Sequence, residues 1–290
     1  MSLLTIFCGL LVVYAGLAAM QISLSSPVVS ILGNWVRWAL FAFFLACAAD
    51  YFGSDRPPWL WLATGFLVWP LVETMYNWLA IGALSHSLIP LFPRFMVNRN
   101  GDAWPNQSRF ISLRLWLREE RFQHVQSLKA DQPDGQPLRV SVFNDPEGHI
   151  RLQLHFIPEA SGNVTLSAVF TSITQSGARL ITDNLYLPFG GFYPPEWEVE
   201  RHPWIRSPES LMCRHLRRLA GRPELLQPIT EEPITELNRE QQALERTNTE
   251  HGILFPRSQH EEHGVLTWEG RYHRWKEAWL LSYFGMPRRY

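Results

Sequence analysis

Charged residues are almost absent from the first third of this chain of 290 residues. Residues 1–92 contain five of them, whereas residues 93–290 contain 24 basic and 24 acidic side chains. A helix needs about 20 consecutive apolar residues to cross the hydrocarbon core of a bilayer. The pattern therefore predicts an integral membrane anchor, residues 1–92, followed by a water-soluble part. The charged residues of the anchor are Arg37, Asp50, Asp55, Arg56 and Glu73.

Three apolar stretches in the anchor have the length of a transmembrane helix, at about 3–20, 31–49 and 57–79. The first has no basic residue before it and no small-residue cleavage site after it, which favours a retained span over a signal peptide. The third begins at Pro57 and Pro58, which suits the first turn of a helix. We predict three transmembrane helices, with residues 80–92 as an interfacial or kinked exit.

The distribution of arginine predicts the orientation of the anchor, because basic residues favour the cytoplasmic face. With three spans, Arg37, Arg94, Arg99 and Arg109 share one face, and the opposite loop, 50–56, has two acids and one base. We therefore expect an external N-terminus and a cytoplasmic soluble part. The 24 arginines against two lysines are typical of a GC-rich bacterial genome. The predicted location is the bacterial inner membrane, as a multi-pass protein.

Two of the charged residues in the anchor fall at the same predicted depth. Arg37 lies about six residues into the second span, roughly 9 Å from the cytoplasmic face. Glu73 lies about 15 residues into the third span, which leaves it roughly 8 Å from that face of a core about 30 Å thick. The sequence predicts that Arg37 and Glu73 pair inside the membrane. A proton pathway through Glu73 and snorkelling of Arg37 to the headgroups are the alternatives.

Residues 93–191 have the pattern of a β-rich domain. Apolar and polar residues alternate from about 109 to 187, the period of half-buried strands. The segments 145–148, 161–163 and 175–177 contain the glycine, proline, asparagine or serine residues of tight turns. We predict an antiparallel meander of about four or five strands. The segment 119–130 is ambiguous between a short helix and a longer excursion.

Residues 192–290 have helix signals instead. Ser207 and Thr267 are suitable N-terminal caps, and Gly221, Gly252 and Gly285 follow the predicted helix ends. We predict helices over about 207–220, 234–250 and 267–284. Strands followed by helices indicate an α+β fold, as one domain or two closely packed ones.

The polar segments of the soluble part contain two possible binding sites. Arg214, Arg217 and Arg218 share a face of a predicted helix and could bind a phosphate or lipid headgroup, although a solvated basic face is favoured. His260 and His263 bracket two glutamates but lie three apart in a predicted loop, so we favour a solvated loop over a metal site. Cys213 and His215 face different directions on their helix, which disfavours a nucleophilic pair.

No phosphate-binding glycine loop, nucleophile elbow or Cys-x-x-Cys pair occurs in the sequence. We therefore expect no cofactor and assign no catalytic or metal-binding residue. Whether the chain is an enzyme is left open, with a non-enzymatic role favoured.

The last predicted helix has a narrow aromatic stripe, with members at steps of three and four residues. Its members are Trp268, Tyr272, Trp275, Trp279 and Tyr283. Basic residues flank the stripe, so it could lie on the bilayer surface. We favour a core role in which it covers the meander, because a sheet with one apolar face needs a covering helix.

Residues 234–275 carry short signals of a known module. A polar helix ends at His251 and Gly252, and Leu266-Thr267-Trp268-Glu269-Gly270 opens the next helix. This arrangement resembles a winged-helix module over about 40 residues. The resemblance implies contact with DNA or protein. The candidate recognition helix has four glutamates and two arginines, which favours a protein partner over DNA phosphates.

The leading interpretation is a bacterial inner-membrane protein whose cytosolic α+β part is a protein- or ligand-binding module. Its expected partners are the lipid bilayer and a protein or an anionic ligand, and nucleic acid is not expected. The first alternative is a membrane-anchored sensor or effector that binds an anionic small ligand through arginines. The others are a membrane-bound regulator with a winged-helix-like segment, and a hydrolase whose residues converge only in the fold.

Overall fold

The computed structural model describes residues 2–24, 26–87, 90–99, 104, 108–131, 136–158, 164–222, 224–256, 264–285 and 288–289. The chain forms two compact units. The first, called here the anchor unit, comprises Met1–Leu84, Pro188–Gly190 and Arg271–Gly285. The second, the sheet unit, comprises Ser85–Leu187, Gly191–Gly270 and Met286–Tyr290.

Three helices form most of the anchor unit: α1 (Leu3–Leu24), α2 (Pro27–Tyr51) and α3 (Pro58–Ser85). Among the described residues, the first two are long and apolar enough to cross a membrane, over Leu3–Gln21 and Pro27–Tyr51. The third helix has 28 residues, but it is not one of these candidate spans. The structure therefore contains two candidate spans near the N-terminus, and the predicted third span is not shown.

An open, mostly antiparallel sheet is the centre of the sheet unit. Its described strands run in the order β1-β2-β3-β4-β5-β6-β7-β9, and β8 pairs with β5. The pair β6–β7 is parallel, and the other pairs are antiparallel. The strands are β1 (Met96–Val97), β2 (Gln123–Ala130), β3 (Leu138–Asn144), β4 (Arg151–Pro158), β5 (Val164–Thr174), β6 (Arg179–Asp183), β7 (Trp197–Arg201), β8 (Leu226–Gln227) and β9 (Arg288–Arg289).

The predicted meander is present as β3 to β6, and the turns at 145–148 and 175–177 lie where the sequence placed them, whereas the predicted turn at 161–163 lies outside the described residues. Gly148 has φ +72° and donates its N–H to the Asp145 carbonyl oxygen at 3.1 Å. Gly177 has φ +87° and donates to the Thr174 carbonyl oxygen at 2.9 Å. Both positions need a left-handed backbone conformation, which glycine adopts without steric cost.

One predicted strand is wrong. Residues 109–117 form the helix α4 (Ser108–Glu119), and the ambiguous segment after it is the strand β2. Ile111 and Leu115 were expected to face the core but are exposed. The buried side chains instead recur at helical steps of three and four: Phe110, Leu113, Trp116 and Leu117. The segment is apolar at so many positions that it fits both periods, and packing on the sheet selects the helix.

The remaining helices are α5 (Pro208–Ala220), α6 (Pro233–Glu250) and α7 (Trp268–Phe284). They lie close to their predicted bounds, but the Ser207 side chain before α5 makes no capping hydrogen bond. Thr267 Oγ1 accepts the N–H of Gly270 at 3.1 Å, which satisfies a donor in the first turn of α7. The α+β class is therefore confirmed, with helices following the meander.

Helices cover both faces of the sheet. On one face, α4 and α5 pack on an apolar cluster that includes Leu152, Leu154 and Phe170. On the other, α6 packs through Leu237 on Val140 and Val142. Polar residues that alternate along the strands were expected to face water, but this second face is buried as well. A set of charged side chains consequently lies in the interior, beneath α6.

Candidate functional site

A network of four charged side chains lies between α6 and the sheet. Arg151 Nη1 and Arg179 Nη2 donate to different carboxylate oxygens of Glu236, which is fully buried. Arg179 Nη2 also lies 2.5 Å from Glu240 Oε1. Arg151 has further acceptors in Asn144 Oδ1 and the Glu231 carbonyl oxygen, both at 3.0 Å. Buried charges need such partners, because desolvation costs several kcal/mol for an unpaired ion.

The local sequence explains how these four residues meet. Leu152 and Leu180 point to the apolar face, so the preceding arginines, Arg151 and Arg179, point to the face under α6. Glu236 and Glu240 are four residues apart on α6 and therefore share one helical face. The result places two acids over two bases.

The carboxyl group of Glu240 has a raised pKa. Burial raises the pKa of Glu240 to about 7, and the negative charge of Glu236 acts in the same direction. Arg179, Arg151 and a hydrogen bond with Gln153 lower the pKa and only partly offset burial. Glu240 is therefore a carboxyl group that titrates near neutral pH.

A cleft of about 870 Å³ opens onto this network within the sheet unit. Residues of α6, of the turn between β5 and β6, and of the start of β7 line it. Its arginines are Arg94, Arg179, Arg239 and Arg246. Its acids are Glu196, Glu240, Glu245 and Glu250.

Most arginines of the cleft have carboxylate partners. Arg94 Nη2 lies 3.0 Å from Glu245 Oε2, and Arg239 Nη2 lies 2.6 Å from Glu231 Oε2. Arg179 differs, because its Nε is buried without a hydrogen-bond partner among the described residues. The Trp197 ring lies 5.7 Å from its guanidinium carbon. The cleft therefore contains a strong donor with hydrogen-bonding capacity to spare.

The sequence prediction missed this site. It did not consider Arg151 or Arg179 as site residues, and it used Glu236 and Glu240, two of the four glutamates of the candidate recognition helix, only as evidence against DNA binding. The available signal was the spacing of the two glutamates on a helix predicted to follow the sheet. Two glutamates on one face of a helix can be buried against a sheet only if basic residues of the strands lie beneath them.

The structure brings Arg37 and Glu73 together. Arg37 Nη2 donates to Glu73 Oε1 at 2.7 Å, and the Tyr283 hydroxyl donates to Oε2 of the same buried carboxylate. Trp69 Nε1 in turn donates to the Tyr283 hydroxyl oxygen at 3.2 Å. All four residues belong to the anchor unit. Glu73 thus joins α2, α3 and the C-terminal part of α7 through both of its oxygens.

The aromatic stripe of α7 is divided along its length. Trp268 and Tyr272 are exposed, Trp275 and Trp279 are partly buried, and Tyr283 is 2% exposed. The Tyr283 ring packs against Trp35 and Trp38 of α2. Its carbonyl oxygen also accepts Trp35 Nε1 at 3.0 Å. The buried end of the stripe therefore packs on the anchor helices of its own unit.

A proline in α3 creates a further polar contact in the anchor unit. Pro70 has no N–H, so the Phe66 carbonyl oxygen lacks its usual donor four residues later. Trp38 Nε1 donates to this oxygen at 2.8 Å, and the Trp38 ring stacks on Phe66 with centroids 4.6 Å apart. A side chain of α2 thereby replaces the missing helical hydrogen bond.

The three arginines considered as a possible anion site, Arg214, Arg217 and Arg218, have different environments. Arg214 and Arg217 are exposed, whereas Arg218 donates to the Ile181 carbonyl oxygen at 2.6 Å. Arg218 Nε also lies 3.1 Å from Glu200 Oε2. The Arg218 guanidinium therefore stabilises the packing of α5 on the sheet.

His215 is a buried histidine whose ring nitrogens both have partners. Nε2 lies 3.0 Å from Ser172 Oγ, and Nδ1 lies 2.9 Å from Thr182 Oγ1. Burial lowers the pKa of His215 to about 3, and Arg218 adds to the effect. Ser172 and His215 are both fully buried, so a substrate cannot reach them. A neutral structural role fits this geometry.

His260 and His263 lie outside the described residues. Within those residues, no group of three or more His, Cys, Asp or Glu side chains could hold a metal ion. In the segment that resembles a winged helix, Leu254 and Leu266 form an isolated antiparallel bridge. The preceding helix, α6, buries Glu236, Leu237 and Leu244.

Comparison with known proteins adds no relative. The chain matches no protein-family model, no curated protein and no solved structure. The chemistry of its own residues must therefore indicate the function.

Proposed function

We propose that the protein is a bacterial inner-membrane binding module whose cytoplasmic sheet unit holds a small charged ligand in the cleft beside α6. The carrying observation is that Arg179, which lines a cleft of about 870 Å³, has a buried Nε with no hydrogen-bond partner in the described part of the chain. Pockets for small ligands have volumes of roughly 300–1,000 Å³ and a few convergent polar groups. The charged side chains that line the cleft are arginines and glutamates, which suits the binding of a charged ligand.

The proposal includes an anchor with three spans and an external N-terminus. Leu67, Leu71 and Leu79 of α3 are each at least 66% exposed, an apolar surface that lipid would cover. The pairing of Arg37 with Glu73 supports the same arrangement, since a carboxylate at membrane depth needs a partner. The excess of arginine on one predicted face supports a cytoplasmic sheet unit.

A ligand screen with a blocked cleft tests the proposal. The full chain in phosphatidylcholine nanodiscs would be melted with nucleotides, sugar phosphates, dicarboxylates and amino acids. Ala243→Phe adds a ring inside the cleft, and Ala220→Phe is the matched control at the exposed end of α5. A ligand at 100 times its dissociation constant stabilises the folded state by about 2.7 kcal/mol.

We expect at least one compound to raise the melting temperature of the wild type and of Ala220→Phe but not of Ala243→Phe. The proposal is wrong if no compound in the panel stabilises the wild type. It is also wrong if every stabilising compound acts equally on Ala243→Phe.

A further inference from the structure

We propose that the ligand carries an oxyanion, a phosphate or a carboxylate, which accepts a hydrogen bond from Arg179 Nε while Glu240 takes up a proton. This inference rests on the proposed function, because it names the ligand chemistry and regulation of the same cleft.

Among the described residues, the hydrogen bonds of Arg179 leave the Nε of its guanidinium without an acceptor. Glu236 and Glu240 both approach the same nitrogen, Nη2. Nε is buried and has no hydrogen-bond partner among the residues that the structure describes, and the Arg179 side chain lines the cleft. A guanidinium has five N–H donors in one plane, an arrangement that matches two oxygens of a carboxylate or phosphate. An oxyanion in the cleft would supply the missing acceptor.

The charge balance of the network links this anion to Glu240. When both glutamates are ionised, Arg151 and Arg179 are neutralised by Glu236 and Glu240. When Glu240 is protonated, the network has one uncompensated positive charge in the interior. A bound anion restores neutrality in that state, whereas beside an ionised Glu240 it adds an excess negative charge. The anion and the Glu240 charge therefore compete for Arg179.

The groups around Glu240 support a proton exchange near neutral pH. Arg151 and Gln153 face it from β4, Arg179 from β6 and Glu236 from its own helix, and burial raises its pKa to about 7. An added anion disfavours the ionised form and raises this pKa further, so binding takes up a proton. The affinity for the anion must then fall as the pH rises above about 7.

The other arginines of the cleft limit the size of the anionic group. Arg94 is paired with Glu245, and Arg239 is paired with Glu231. Arg246 is on the exposed surface of α6, 3.8 Å from Glu250. One small oxyanion group at Arg179 therefore fits the cleft better than a polyanion that needs several unpaired arginines.

Calorimetry with two simple anions tests the inference. The probes are sulfate, for a tetrahedral phosphate-like group, and oxalate, for a carboxylate, because neither changes protonation between about pH 6 and about pH 8. The full chain in phosphatidylcholine nanodiscs would be titrated across this range, in two buffers with different ionisation enthalpies. We expect affinity for one of the anions to fall up to about tenfold per pH unit above the pKa of Glu240.

Variants separate this effect from general changes in charge. Glu240→Gln should bind the anion with little dependence on pH, because it cannot ionise. Glu209→Gln, an exposed position in the first turn of α5, should keep the wild-type dependence. Ala243→Phe should remove binding. The two-buffer measurement reports proton uptake on the wild type alone, so the link is tested even if Glu240→Gln does not fold.

Each contrary result has a defined meaning. If neither anion binds, the oxyanion inference is wrong, while a compound found by the screen would leave the proposed function standing. Binding without proton uptake would overturn the role of Glu240, and binding that survives Ala243→Phe would place the anion elsewhere and overturn the site. If phosphatidylglycerol in the nanodisc abolishes sulfate binding, the oxyanion is a lipid headgroup, and if it does not, the oxyanion is a free ligand.

Discussion

Loss of the Trp38 indole N–H should destabilise the anchor unit strongly only while residue 70 is proline. In the wild type, Trp38 Nε1 donates at 2.8 Å to the Phe66 carbonyl oxygen, whose helical donor is missing at Pro70. Trp38→Phe removes this donor but keeps an aromatic ring that can stack on Phe66. Pro70→Ala restores an N–H at the helical position. The two substitutions therefore act on the same acceptor.

The expected magnitude follows from the burial of this contact. Trp38 is 8% exposed, so water cannot readily replace its indole. An unsatisfied buried polar group costs about 1–3 kcal/mol. The smaller ring of phenylalanine also loses apolar contact, but that loss is the same whether residue 70 is proline or alanine. Trp38→Phe should therefore cost about 1 kcal/mol or more of additional stability when residue 70 is proline than when it is alanine, within the range of coupling energies measured for residues in contact.

Unfolding of four full-length chains in mixed micelles, followed by circular dichroism, would measure this coupling. The chains are the wild type, Trp38→Phe, Pro70→Ala and the double variant. Trp61→Phe is the control, because Trp61 Nε1 donates to Ser54 Oγ at 3.0 Å and should lose the same free energy in both backgrounds. Equal losses for Trp38→Phe with and without Pro70 would refute the reasoning.

Three further predictions concern orientation, charge pairing and acid stability. Alkaline phosphatase fused to the C-terminus should be inactive, because a cytoplasmic location prevents its maturation; activity would reverse the proposed orientation. Arg37→Leu and Glu73→Leu should each destabilise the chain in micelles by about 3 kcal/mol, and the double variant by less than their sum; additive losses would exclude coupling. His215 is neutral when folded because its pKa is about 3, below the unfolded value of about 6.5. The unfolded state therefore binds the extra proton, and stability should fall by up to about 1.4 kcal/mol per pH unit below about pH 6.5. His215→Asn should show a shallower acid dependence in denaturation curves, and an unchanged slope would contradict this assignment.

Local signals were sufficient where the sequence gives a segment one possible structure. Ser207 and Thr267 precede α5 and α7, a glycine lies within two residues after each of α5, α6 and α7, and the bounds of all three helices were predicted closely. The segment 108–119 has no such signal, because its apolar residues recur both at alternate positions, as in a strand, and three or four apart, as in a helix. Its helical state depends on Phe110 and Leu113 packing in the core, which is a tertiary effect.

The ion pair in the anchor unit was predictable from the sequence, whereas the charged network beneath α6 was not. Counting residues along the predicted second and third spans gave Arg37 and Glu73 the same expected depth, and the two side chains form an ion pair in the structure. Arg151 and Arg179 meet Glu236 only if α6 covers the second face of the sheet in one register. No local pattern contains that register, and a polar residue on a strand is ordinarily expected to face water.

The donors on each carboxylate oxygen distinguish the structural glutamates, Glu73 and Glu236, from Glu240, which is proposed to respond to a ligand. Glu73 has a donor on each oxygen, from Arg37 and from Tyr283. Glu236 likewise has Arg151 on one oxygen and Arg179 on the other. A new anion near either carboxylate would have to displace hydrogen bonds that stabilise packing.

The pairing of Glu240 differs from that of Glu73 and Glu236. It shares Arg179 Nη2 with Glu236, and its pKa of about 7 means that it loses its charge easily. An anion at Arg179 Nε can therefore replace the Glu240 charge without breaking the Glu236 pairs. If Glu240→Gln left the anion affinity and its pH dependence unchanged, Glu240 would not be the residue that couples anion binding to proton uptake. A ligand anion at Arg179 would therefore replace the ion pair with Glu240, and the fold would keep the two ion pairs of Glu236.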